Sequence, residues 1–121
     1  MTFEADLKSH LQTAVGSVLI YPLKLKDGVT KPAITYTIIY GEPQNSLDGF
    51  TSGVTRNVVQ LDCWAESFDV AVSLGTIVFN QMNTPHTNFT SSIPQYPSFD
   101  EYEEETKRYR RSITCNCLFK S

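Results

Sequence analysis

Between Val58 and Trp64 polar and apolar residues alternate, and just beyond Ser67 the alternation stops. Val59, Leu61 and Cys63 fall on one side and Gln60, Asp62 and Trp64 on the other, the period of two that a sheet with one buried face requires. Ser67 is a ready N-cap, Asp69 is placed to favour the helix dipole, and a helix is predicted over 68–82. Phe68, Ala71, Gly75, Val78 and Met82 form one face of that helix, while Val70, Leu74 and Ile77 form a second. A single sheet covers only one of them. The other is either packed under a second helix, as in layered domains, or turned toward a neighbouring subunit.

The same reading runs along the rest of the chain. Thr2 caps a first helix in which Phe3, Leu7, Leu11, Ala14 and Val18 make one apolar stripe, with His10 on the exposed side and Gly16 marking its end. Residues 20–25 are extended because Pro22 excludes helix, and 26–32 carry turn chemistry. Residues 33–40 read as a strand, Ile34, Tyr36, Ile38 and Tyr40 on one face and Thr35, Thr37 and Ile39 on the other, ended by Gly41. Residues 42–54 then form a connection longer than a hairpin needs. It is either a loose surface loop or a contact element, and apolar Leu47 and Phe50, flanking Asp48, favour contact.

Residues 83–98 hold three prolines and many small polar residues, an irregular crossing with a short strand near 89–93. The C-terminal end reads as a hairpin with segregated charge. Asp100, Glu101, Glu103, Glu104 and Glu105 lie on its first arm, Lys107, Arg108, Arg110 and Arg111 on its second, with a turn near Thr106. Folded back, opposite signs meet, either as a solvated arm or as a patch for a neighbouring subunit. Along the last strand Tyr109, Arg111, Ile113, Cys115, Cys117 and Phe119 share one side. Arg110, Ser112, Thr114 and Asn116 share the other, so reversing the charge of Arg110 is expected to cost the isolated subunit little. The expected fold is α+β: a single domain over 1–121, a mainly antiparallel four- to five-stranded sheet packed with two α-helices.

Composition narrows the function more than it names it. A chain of 121 residues and 13.6 kDa buries about two thirds of its unfolded surface. Net charge −3 and a pI near 5.3 argue against general affinity for nucleic acid. Acidic residues near the N-terminus and the lack of a long apolar run predict neither signal peptide nor membrane span, hence a protein soluble in the cytoplasm when made. Three cysteines make no closed disulfide framework. His10 and His86 are the only histidines, and neither has a Cys or Asp neighbour that suggests a triad. Cys115 and Cys117 point the same way but lack the spacing and the four ligands of a zinc site. No phosphate-binding glycine motif and no basic stripe occurs. No catalytic residue, cofactor or metal is expected.

Five blocks carry a more specific likeness: residues 2–7 (TFEADL), 20–23 (IYPL), 32–36 (PAITY), 59–65 (VQLDCWA) and 104–112 (EETKRYRRS). In this order and spacing the chain resembles the tail completion or tail terminator family of long-tailed bacteriophages, prophages and gene transfer agents. The resemblance spans residues 2 to about 119 and transfers no catalytic motif. It implies a virion protein that forms a homo-oligomeric ring, hexameric on the tail. Such a ring caps the tail tube protein, stops polymerisation and presents a docking surface to the head-completion or connector protein. DNA would pass through without sequence-specific binding, no membrane is involved, and assembly takes place in the host cytoplasm. A closing ring needs two complementary faces per subunit. The expected contacts to subunits or tube are Leu47, Asp48, Phe50, Glu103, Glu104, Arg108 and Arg110. The alternatives are a head-side neck or adaptor protein of the same particle, or a small ligand-binding or enzyme domain.

Overall fold

The apolar stripe at the start of the chain becomes helix α1, Phe3–Val15, with Phe3, Leu7 and Leu11 buried. It ends where Gly16 takes φ 64, a left-handed conformation that needs no Cβ, and its N–H bonds Gln12 O at 2.9 Å. The computed structural model describes residues 3–23, 31–45, 51–84, 86, 89–92, 98–104 and 107–120. After α1 come β1 (Leu19–Pro22), β2 (Ala33–Asn45), β3 (Thr51–Ala65), α2 (Phe68–Met82), β4 (Phe89–Ser92), β5 (Ser98–Glu103) and β6 (Arg108–Lys120). Ser67 caps α2 as its spacing predicts, its hydroxyl accepting from Val70 N.

The strand order is β1-β2-β3-β6-β4, with β5 also paired to β6. Since β3 occupies one edge of β6 over 109–120, β4 and β5 share the other edge, along 116–119 and 108–113. The sheet is thus five strands wide and antiparallel throughout except for β1, which runs parallel to β2. Both helices lie on one face, which makes the fold α+β. Leu7 and Leu11 of α1 and Val78 and Met82 of α2 pack into one cluster with Ile34, Val59, Leu61, Cys63, Ile113 and Cys115 of the sheet. Each large apolar side chain in it contributes roughly 1.5–3 kcal/mol by leaving water.

Three expectations need correction. Much of 42–54, read as a loop, is ladder: Gly41 pairs with Asn57, Pro43 with Thr55 and Gln44 with Val54. Main-chain bonds extend the hairpin regardless of side-chain alternation. Pro43 is tolerated because, among the described residues, β2 is bonded there only by β3. The tip, with Leu47, Asp48 and Phe50, lies outside the described residues. Secondly, the register slips between Ile38, opposite Val59, and Tyr40, opposite Val58. The extra residue is a bulge, and it breaks the simple period of two between β2 and β3 beyond Ile38.

Thirdly, His10 is not on an exposed side but 6% exposed. Its Nε2 lies 2.8 Å from Gln81 O, and Gln81 Nε2 donates to His10 O at 2.7 Å. The rings of His86 and Phe89 close over it at 5.1 and 5.3 Å. A reading of apolar periodicity counts histidine as polar surface; a bond to the other helix makes it part of the interior.

Candidate functional site

Alternation along β3 and β6 sends every second side chain away from the helices, and these residues build a polar platform. Trp64 pairs with Arg110 and Asp62 with Ser112 across the two strands, and Thr35 of β2 flanks Asp62. The Trp64 indole Nε1 donates to Thr35 Oγ1 at 2.9 Å. Asp62, 5% exposed, accepts from Gln60 Nε2 at 3.1 and 3.2 Å and from the Ser112 hydroxyl. Arg110 lies with its Cζ 5.4 Å from the Trp64 ring centroid, within cation–π range, and 3.9 Å from Asp62 Oδ2. Glu101 of β5 completes its ion pairing.

The charge-segregated hairpin forms in the expected register: Asp100 opposite Arg111, Glu101 opposite Arg110, Glu103 opposite Arg108. Arg111 grips Asp100 with two bonds, Nε to Oδ1 at 2.8 Å and Nη2 to Oδ2 at 3.0 Å. That hydrogen bonding holds the Asp100 carboxyl below its usual range and raises the Arg111 guanidinium. On the helix side of the sheet the stem of Arg111 passes so close to α2 that a Cβ on Gly75 would sit 2.4 Å from its Cδ. Glycine is required there by approach, not by φ.

The residues expected at an interface divide clearly. Arg108 is only 3% exposed, donating from Nη1 to Lys31 O at 3.2 Å and standing 3.9 Å from Glu66. Arg110 is held in the platform, Glu103 is half-buried opposite Arg108, and Glu104 is exposed beyond the end of β5. The hairpin's charge is therefore largely matched inside the subunit. Periodicity singled out only part of the surface that stands open. Phe68 and Tyr102, each 46% exposed, flank Tyr109 with ring centroids at 5.9 and 4.9 Å, an aromatic row from the start of α2 across β6 to β5. On α2, Leu74 turns inward while Val70 and Ile77 remain 43% and 44% exposed. One signal was legible, the excess of apolar residues around α2.

The groups able to do covalent chemistry are placed for structure. Burial pushes the Cys63 thiol up to about 12, and a hydrogen bond in which the Cys117 thiol donates to Cys115, together with burial, raises Cys117. Neither forms a thiolate near neutrality. Burial, reinforced by His86, lowers His10 from its ordinary value. Among the described residues no three His, Cys, Asp or Glu side chains stand close enough to share a metal ion.

No protein-family model matches this sequence, and no curated protein sequence does. Among solved structures, a chain of the virion of a native gene transfer agent particle is similar, with a TM-score of 0.69 and 8% identity. The alignment covers 98% of this chain and 95% of that one. At this identity the two share a fold, end to end.

Proposed function

We propose that this chain is a structural virion protein of the phage type, without enzymatic activity, and that it serves as the tail terminator. It forms a ring, hexameric on the tail, at the head-proximal end of the tail tube. There it ends polymerisation and supplies the surface on which the head docks. The observation that carries this reading is the end-to-end likeness of fold to a chain of a gene transfer agent virion, found for a sequence whose motifs resemble tail terminators.

The surface chemistry agrees with assembly. A ring subunit needs two unlike, complementary faces. The aromatic row Phe68–Tyr109–Tyr102 and the apolar positions Val70 and Ile77 of α2 lie in separate patterns on the helix side, and aromatic anchors of this kind concentrate binding energy when covered. The β2–β3 arm, extended by ladder to Asn45 and Thr51, suits a reach toward a neighbour or the tube. Net charge −3 lets DNA pass without a tight phosphate grip.

Deletion of the gene from a producing strain tests the assignment. Overlong tails and filled but tailless heads in electron micrographs are expected, and purified protein added to tubes should appear as a sixfold cap. Normal infectious particles after deletion would reject a virion role. Binding to the portal complex with no affinity for tubes would move the protein to the head side as an adaptor.

A further inference from the structure

Where β1 ends, the first turn of α1 and the middle of β2 enclose a half-open cleft of about 260 Å³. Pro22, Leu23 and Ile38 form apolar walls, and Glu4 and Tyr36 bring the polar groups. The Tyr36 hydroxyl points to Glu4 Oε2 at 3.5 Å, and burial beside that carboxylate raises the phenol, so it stays neutral and able to accept as well as donate. Asp100 and Glu101 are matched by Arg111 and Arg110, whereas among the described residues Glu4 meets no cation and its one hydrogen-bond partner is Tyr36.

The rim is built as well. Leu23 is 71% exposed at φ 67, a conformation strained for a residue with a Cβ, and its N–H donates to Tyr36 O at 2.8 Å. The backbone thus holds an apolar side chain out in water at the mouth of the cleft. Among the described residues β1 pairs with 33–36 of β2, while β2 itself runs on to Asn45.

We propose that the cleft is a socket for one arginine or lysine side chain, carried on an extended segment of a partner protein that lies beside β2 past Pro22. The aliphatic stem packs on Pro22, Leu23 and Ile38, as such stems do on apolar surface, and the cationic head meets Glu4 and the Tyr36 oxygen. Main-chain pairing along β2 gives the segment its direction, and the socket selects its charge. This inference stands whether or not the protein caps a tail.

The test uses end-blocked pentapeptides, Thr-Val-X-Val-Thr, with X arginine, norleucine or glutamate. Each is titrated into the full chain while amide chemical shifts are followed. The arginine peptide is expected to move the signals of Glu4, Leu23, Tyr36 and Ile38 and to bind about fivefold tighter than norleucine and about tenfold tighter than glutamate. Glu4→Gln should abolish that preference at an unchanged melting temperature, and Tyr36→Phe should reduce it. Equal binding of the three peptides, shifts elsewhere, a preference that survives Glu4→Gln, or no binding at about 10 mM peptide would overturn the proposal. Binding that appears only after Lys24→Ala would assign the cleft to this chain's own lysine and overturn it equally.

Discussion

The two faces of the sheet are made by alternate residues of the same strands, yet different forces hold them. Toward the helices, Val59, Leu61, Cys63, Ile113 and Cys115 are 0–1% exposed and carry no charge. Away from them, Thr35, Asp62, Trp64 and Ser112 are almost as buried, but every one is polar or bears a polar handle that is hydrogen-bonded. The first face is held by area removed from water and tolerates only apolar swaps that keep volume. The second is held by partners, so removal of one group leaves others stranded. Burial alone therefore does not say how a position responds to substitution.

Breaking the first face has the largest expected effect. Leu61→Ala should lower unfolding stability by about 2–5 kcal/mol, the cost of lost transfer energy plus a cavity, measured by urea denaturation. A loss under about 1 kcal/mol would mean that the core collapses into the gap.

Arg110→Glu strikes the second face. Strand alternation alone makes this reversal cheap, but it places a third carboxylate between Asp62 and Glu101 and removes the cation from Trp64. Destabilisation of about 2 kcal/mol is expected, mostly from the side of buried Asp62, since the exposed Glu101 is screened by solvent. Near-native stability of the variant would show that the platform is wet and weakly coupled.

A smaller effect comes from the charged residue that the helix side carries against α2, Arg111. Gly75→Ala should gain about 1 kcal/mol of helix propensity and lose more than that by pushing the Arg111 stem off Asp100. In an Arg111→Ala background the same change should become stabilising, and a double-mutant cycle reads the reversal directly. Additive effects would mean that the helix, not the arginine, yields.

The smallest effect is one of pH. Burial holds the folded pKa of His10 below 6.5, so the unfolded chain binds more protons in that window. The stabilisation is complete above 6.5 and declines as pH falls toward the folded value. Asp100 has the same sign at lower pH, for a different reason, since its charged form is held by Arg111: its folded pKa lies below 3.8, and its contribution is present above 3.8 and lost as pH falls through the lowered value. Melting temperatures between about pH 8 and 5 should drop more steeply for the natural chain than for His10→Gln. Identical slopes would show that His10 titrates freely.

What the sequence by itself determined was local. The bounds of α2, its Ser67 cap, the two faces of β3 and the charge register of the β5–β6 hairpin are legible because each follows from spacing along one element or between two arms of a hairpin. The tertiary structure decided what depends on distant partners. His10 entered the interior because Gln81 answers it 71 residues away, and Gly75 is needed because Arg111 crosses α2. Ile39 became a bulge where β2 must stay in step with β3, Phe68 joined Tyr109 and Tyr102 into one aromatic row, and Glu4 met Tyr36 at the cleft. Periodicity reports which side of an element is dry; only the packed chain decides which polar groups find partners there.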